Sequence, residues 1–392
     1  MTATSHIQEI ASRKLLDRNA VYEAFFGREA ARLARACQQM AQRFHDGGRL
    51  LALGRGPYAT DAQHVSVEFV HPVIVGKRAL PALDLSALGD AMVEVLVRSE
   101  DIVMGFGPPE GDPLITQQLH RARRAGAMVF ALPGTRGDYA VECFSQDPFL
   151  HQEMMEMLYH TLWETVHVFL EHGELDSDAG GASFLYPFLD SDGPWDHGVL
   201  EDVAASMLMK VAEDADLRER VAENSAGAIV HSASAIARSV NQGGKLLLFG
   251  NGGSATDAND WALDCIDPPN GLRPIPAISL SSEPAVLTAL ANDVGVEVVF
   301  LRQLLAHARP GDVAVAISTS GGSRNLLTTL EEARRRGLTT IALLGYDGGE
   351  ILRRSLADHA IVVPSDYIPR IQEVQASVYH VIRELVEVAS HA

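Results

Sequence analysis

Apolar positions fall into two patterns that recur in the same order in each half of the chain. Within residues 1–48, over LLDRNAVYEAFFGREAARLARACQQMAQRF, they repeat every three or four positions, which predicts helix. Short unbroken apolar runs follow, each closed by Gly or Pro: RLLALG (49–54), DIVMGFG (101–107) and AMVFALPG (127–134). Such runs, bounded by turn residues, predict buried strands, and helical stretches such as ITQQLHRARRAG stand between them. Residues 200–242 again read as helix, and KLLLFG (245–250), DVAVAIS (312–318), TTIALLG (339–345) and HAIVVPS (359–365) read as strands. Unalternating apolar strands separated by helices are what a parallel sheet covered on both faces requires. The predicted fold class is α/β, in two tandem domains, each a parallel sheet flanked by helices.

The two halves align by eye. LLALGRGPYATDAQHVSVE near residue 50 lies over LLLFGNGGSATDANDWALD near residue 246, and HQEMMEMLYH lies over IQEVQASVYH. Gly54 matches Gly250, Asp101 matches Asp312 and Gly126 matches Gly337, with HRARRAGAMVFALPG over EEARRRGLTTIALLG. The first copy is shorter by fifteen residues between its first two strands (Gly54 to Asp101 against Gly250 to Asp312). The expected domains are 1–171 and 199–392, joined by a linker over 172–198. That linker is rich in Gly, Asp and Ser, and its Phe184, Tyr186, Phe188 and Trp195 suggest that it docks on a domain surface.

Composition narrows the partners. With 392 residues there is ample chain for two cores, and a formal net charge of -19 argues against nucleic acid or an anionic membrane surface. A small anionic ligand remains compatible, because one local pocket can override the global sign. Cys37, Cys143 and Cys265 are too few and too scattered for a disulfide framework or a thiolate metal site. The polar start, MTATSHIQEIASRK, does not read as a secretory signal, and no apolar run is long enough to span a bilayer, so a cytoplasmic location is expected.

Two loops of the second copy carry candidate chemistry. FGNGGSATDA (249–258) and ISTSGGSRNLL (317–327) stand at strand-to-helix turns, and the second holds Ser318, Thr319, Ser320 and Ser323. Glycines allow close backbone approach, helix N-termini offer N–H groups and partial positive charge, and hydroxyls add neutral donors. Together they suit a phosphate monoester. The same residue types also serve as plain N-caps and turns, which is the competing explanation. Neither loop is a P-loop or a dinucleotide fingerprint. In the first copy Ser254 is replaced by Tyr58, and the four hydroxyl residues by Gly107, Pro108, Pro109 and Asp112. Prolines remove N–H donors, and Glu110 and Asp112 repel an anion, so no phosphate is expected there.

The first copy carries a different set. His64 and Glu68 share one helix face, as do Gln152 and His160. If the two helices meet, two imidazoles, a carboxylate and an amide converge as a site for a divalent metal such as zinc, or for proton transfer. Taken singly, each His is as well explained by a local hydrogen bond. The second copy has Asp260 and Asp264 in place of the His–Glu pair and keeps Gln372 and His380. Asp is one methylene shorter than Glu, so its reach is expected to fall short of the geometry the first copy supports. His71, His120 and His151 have no patterned partner.

The second copy resembles the phosphoheptose isomerases of the sugar-isomerase (SIS) superfamily over nearly its whole length. The stretches that carry the resemblance are GNGGSATDA, LTALANDVGVEVVFLRQL, GDVAVAISTSGGSRNLL and RIQEVQASVYH. The first copy is similar but degenerate, through ATDAQHVSVE, the ARRAG helix end and the QE…H stretch. The resemblance implies two SIS-type domains and interconversion of sedoheptulose 7-phosphate with a glycero-manno-heptose 7-phosphate through an enediol. It implies phosphate held by Ser254, Ser318, Thr319, Ser320 and Ser323, with Asn251, Asp293 and Gln372 near the substrate. It implies a base at Glu68 or Asp264, an acid at His160 or His380, and zinc at His64, Glu68, Gln152 and His160. An Asp that many members place three residues before the Gln is Pro369 here and Phe149 in the first copy.

Family members are typically homotetramers with sites at subunit interfaces, so a dimer of duplicated chains would build the same four-domain body. The expectation is a phosphosugar isomerase with composite sites, the second copy supplying the phosphate cradle and the first His64, Glu68 and His160. The alternative is a phosphosugar-binding regulator or scaffold without turnover. A third reading is an isomerase or epimerase of another phosphosugar.

Overall fold

The computed structural model describes residues 3–73, 77–88, 91–173, 197–269 and 271–390. The expected linker, with its four aromatic residues, lies almost wholly outside them. Packing groups the chain into two compact units: residues 20–213 form one, and residues 1–19 with 214–392 form the other. The units therefore do not follow the expected boundaries at 171 and 199. The reason is a pair of long helices. α1 (Ala3–His45) places Ala11 and Leu15 in the core of the second unit, and Tyr22 through Phe44 in that of the first. α6 (His197–Asn241) gives Val203, Met207 and Val211 to the first core, and Leu217 onward to the second.

The first unit is built on strands β1 (Leu50–Leu53), β2 (Ala82–Asp84), β3 (Ile102–Phe106), β4 (Met128–Leu132) and β5 (Tyr139–Ala140). They form one parallel sheet in the order β2-β1-β3-β4-β5. Its helices are α2 (Ala59–Val70), α3 (Met92–Leu96), α4 (Pro113–Arg124) and α5 (Pro148–Gly173).

The second unit has β6 (Leu246–Phe249), β7 (Ala277–Ser279), β8 (Val313–Ile317), β9 (Thr339–Gly345) and β10 (His359–Val363). Their order, β10-β9-β8-β6-β7, is that of the first sheet read from the other edge, again all parallel. Its helices are α7 (Gly253–Ile266), α8 (Pro284–Asp293), α9 (Val299–His307), α10 (Arg324–Arg335), α11 (Gly349–Arg353) and α12 (Ile368–Ser390). Every expected strand is present. The edge strands β2, β5 and β7, of two or three residues each, were not expected.

Local physics repeats between the units. A methyl on Gly54 would lie 2.0 Å from the Tyr58 carbonyl oxygen, and one on Gly250 would lie 2.2 Å from that of Ser254. Only glycine lets the strand turn back this tightly onto the following helix. The buried Asp101 carboxylate accepts from the Arg49 and Arg98 backbone N–H groups and pairs with the Arg49 side chain at 2.7 Å. Asp312 does the same with Lys245 and Arg309, its ion pair being 2.6 Å. These partners hold the Asp101 carboxyl below the usual range although burial pushes it the other way. Strand order of this kind reverses direction once, between β1 and β3 in the first unit and between β6 and β8 in the second. That reversal opens a crevice at the carboxyl ends of the strands.

Candidate active site

In the second unit both hydroxyl-rich loops open at that crevice. The loop after β8 is held by its own backbone and by two neighbours. The Ser318 hydroxyl accepts from Gly321 N–H at 3.0 Å, and Gly345 N–H donates to the Thr319 carbonyl at 2.9 Å. Gly321, at φ +60°, sits so close to Gly348 that a side chain there would strike its carbonyl. From α12, the Gln375 amide donates to the Ser318 carbonyl at 3.3 Å. Ser320 accepts from Gly322 N–H at 3.3 Å.

Ser323 is the N-cap residue of α10, yet its side chain makes no capping hydrogen bond. The competing explanation for these hydroxyls was capping, and at this position the geometry does not supply it. Ser254 is buried in the first turn of α7, whose N-cap, Gly252, has no side chain to offer. Asn251, on the same loop, exchanges amide hydrogen bonds with Asn325 of α10. Asp293 is exposed at the end of α8, where its carboxylate accepts from Asn292.

Beneath these loops α7 and α12 bring Asp260, Asp264 and His380 together, all buried. His380 Nε2 lies 3.1 Å from Asp264 Oδ2 and 3.6 Å from Asp260 Oδ2. The Tyr379 hydroxyl donates to Asp260 at 2.7 Å. Burial first, then the Asp260 charge, pushes the Asp264 carboxyl up to about 7, against the opposing pull of His380. Both Asp carboxylates, although one methylene shorter than Glu, stand within 3.6 Å of the imidazole. Gln372 is buried on the same helix.

The first unit assembles the other expected set. α2 presents His64 and Glu68 four residues apart, with 3.8 Å between His64 Nε2 and Glu68 Oε1. α5 brings His160, whose Nε2 stands 3.4 Å from His64 Nε2. All three are buried, and their donor atoms fall within 4.8 Å of one another. Burial, then the neighbouring His160, drives the His64 imidazole well below its ordinary pKa. A neutral imidazole is the form that ligates a metal. Gln152, expected as a fourth ligand, gives its amide hydrogen to Asp61 at 3.1 Å.

At the place of the phosphate loop the first unit differs. Asp112 caps α4 with its own carboxylate, accepting from Leu114 N–H at 2.7 Å and Ile115 N–H at 3.1 Å. His151 packs there structurally, accepting from Phe144 N–H and donating to the Gly107 carbonyl.

Sequence reasoning missed Asn325, Gln375 and Tyr379. Asn325 and Gln375 lie within helices two and three residues from Ser323 and Gln372, so a search of helix faces next to those positions could have found them. Tyr379 adjoins His380 and recurs as Tyr159 beside His160.

Comparison with known proteins bears on this geometry. A family model described as SIS domain matches residues 211–345. The phosphoheptose isomerase of Pelobacter propionicus is 42% identical over 195 residues, covering 50% of this chain and 100% of that protein. That of Chlorobaculum tepidum is 48% identical over 185 residues, covering 46% of this chain and 88% of its own. The C-terminal domain of glucosamine-fructose-6-phosphate aminotransferase from Francisella tularensis superposes with a TM-score of 0.54 over 94% of this chain and 96% of that one. At 10% identity this last likeness speaks to fold alone. Among the described residues no helix is long and apolar enough to cross a membrane. With strand order, loop placement and an isomerase-length stretch of sequence in agreement, the chain belongs to the phosphoheptose isomerase family, its two units sharing one α/β sheet topology.

Proposed function

We propose that this protein is an aldose–ketose isomerase of a phosphosugar resembling sedoheptulose 7-phosphate. The observation that carries the reading lies in the second unit. An uncapped hydroxyl loop at the sheet's crevice is tied by Gln375 to the same helix that sets His380 against Asp264. Ser254, Ser318, Thr319, Ser320 and Ser323 hold the phosphate with neutral donors and the N-terminus of α10. Asn251, Asp293 and Gln372 meet the sugar.

Isomerisation then needs one base and one acid. A carboxylate takes the proton from the carbon beside the carbonyl while an imidazole N–H gives one to the carbonyl oxygen. This leaves an enediol; the protonated carboxyl then returns its proton to the former carbonyl carbon while the other enediol hydroxyl gives its proton back to the imidazole, which forms the new carbonyl and restores both groups. A carboxyl raised to about 7 is near balance at neutral pH, which favours Asp264 as such a base, with His380 as its acid. Glu68 and His160 form the equivalent pair in the first unit.

The two imidazoles and carboxylate of His64, Glu68 and His160 also fit zinc, which would act there as a Lewis acid toward a carbonyl or hydroxyl oxygen. A dimer of duplicated chains in the cytoplasm completes the proposal, and light scattering checks the dimer.

The direct test is turnover of sedoheptulose 7-phosphate by the full chain with Glu68→Gln and with Asp264→Asn. Loss confined to Asp264→Asn assigns the base to the second unit. Loss confined to Glu68→Gln assigns it to the first. A wild-type chain that binds the phosphosugar and never isomerises it would be a sensor or scaffold instead.

A further inference from the structure

The crevice between β6 and β8 is bridged by two side chains. Asn251 stands on the loop leaving β6, and Asn325 lies in the first turn of α10. Asn325 Nδ2 donates to Asn251 Oδ1 at 2.8 Å, and Asn251 Nδ2 donates to Asn325 Oδ1 at 3.1 Å. The bond is reciprocal, so it fixes both carboxamides and decides which way each amide faces. The two partners differ in setting. Asn325 is buried, while Asn251 is exposed to solvent. An exposed Asn left to itself samples several rotamers and pays for losing them on binding. Anchored to a buried partner, it is already ordered. Each carboxamide has two N–H groups and two oxygen lone pairs, so the pairing leaves Asn251 one donor and one acceptor for a ligand. That combination suits a hydroxyl, which needs both.

The first unit gives the contrast. Its corresponding positions are Arg55 and Leu114, and the same two loops are bridged by an Arg55–Asp112 ion pair at 3.4 Å. Where the hydroxyl loop is missing, the neutral bridge is missing too.

We propose that Asn325 is a positioning residue that presents the Asn251 carboxamide to the sugar hydroxyls of a phosphosugar, while the serine-lined loop holds its phosphate. This rests on the phosphosugar reading above and deepens it by dividing the site: one part for the anion, one for the sugar. Asn325 itself touches no reacting atom.

The division is measurable by titrating the full chain calorimetrically with inorganic phosphate and, separately, with sedoheptulose 7-phosphate. Asn325→Ala should weaken the phosphosugar roughly tenfold, the scale of lost hydrogen bonds, and leave inorganic phosphate within about twofold. Asn251→Ala should do the same, and the double variant should be no worse than either single one, because the two residues act as a unit. In turnover the loss should fall on KM and spare kcat. Equal weakening of both ligands would make Asn325 only a packing residue of α10, and additive losses would mean that the pair is not coupled. Either result overturns the proposal. Asn325→Ser serves if circular dichroism shows the alanine variant unfolded. Because binding is read without turnover, a chain that binds and shows this pattern but never isomerises refutes the isomerase activity and leaves the positioning role standing. A wild-type chain that binds phosphate but no phosphosugar refutes both.

Discussion

The N-termini of α4 and α10 occupy the same place in the two units and are finished in opposite ways. At α4, Asp112 caps the helix with a carboxylate, following a turn containing Pro108 and Pro109. At α10, Ser323 stands at the cap position without capping, after a turn of small hydroxyl and glycine residues. Both are sound ways to begin a helix. The first satisfies the free N–H groups internally and adds a negative charge. The second leaves donors and the helix dipole to something else. The comparison teaches that a shared fold fixes where an anion could sit, while a handful of side chains decides whether it can.

The sharpest way to break that comparison is to give α10 the first unit's cap. Ser323→Asp should lower the affinity for inorganic phosphate and for sedoheptulose 7-phosphate by on the order of 100-fold or more, since a like charge at contact costs several kcal/mol. The helix itself should remain folded. Retained binding would mean that the α10 terminus is not the anion site.

A second contrast separates the two buried imidazole clusters. His64, Glu68 and His160 offer two imidazoles and one carboxylate, whereas Asp260, Asp264 and His380 offer one imidazole and two carboxylates. Imidazole-rich sets suit zinc better than carboxylate-rich ones. Metal analysis of the full chain loaded with zinc should show a stoichiometric ion lost on His64→Ala and retained on His380→Ala. The reverse pattern would move the metal to the second unit.

The pH response should sharpen the same contrast. The Asp264 carboxyl rises from an ordinary 3.8 to about 7 on folding, chiefly through burial. The folded chain therefore holds a proton that the unfolded chain has released between those values. Its contribution to stability is full below about 4 and is lost as pH rises through about 7, an effect on the order of a few kcal/mol. Unfolding in chelator should show the second unit weakening over that window, and Asp264→Asn should flatten the curve. An unchanged curve would mean that Asp264 does not carry the shift.

Much of this was legible in the chain. Strands buried on both faces leave unbroken apolar runs, so β1, β3, β4, β6, β8 and β9 were readable, and the half-buried edge strand β10 was readable because it keeps such a run. The edge strands β2, β5 and β7 are too short to leave a pattern. His64 was readable with Glu68, and Gln152 with His160, because helical spacing puts each pair on one face; that α5 sets His160 against His64 depends on how two helices pack. The Asn251–Asn325 bond was not, since it joins residues far apart in sequence and depends on the distance between two loops. Nor could periodicity say which core each stretch of α1 and α6 would join. One continuous amphipathic pattern serves both, and only packing shows Leu15 in one core and Tyr22 in the other.

The smallest expected effect bears on the caps themselves. Asp112→Ala removes an acceptor from two backbone N–H groups and should cost the first unit about 1 kcal/mol, the usual worth of an N-cap. The exposed Arg55 partner adds little to that. Ser323→Ala removes no capping bond, so it should change stability by less than about 0.5 kcal/mol. Its cost should appear in ligand affinity instead, as a severalfold weaker grip on phosphate, because there the hydroxyl has its partner. Chemical denaturation of both variants, read beside phosphate titration, checks the two halves of this statement together. Equal destabilisation by both would show Ser323 to be a structural cap after all, and the distinction between a closed helix end and an open one would fall with it.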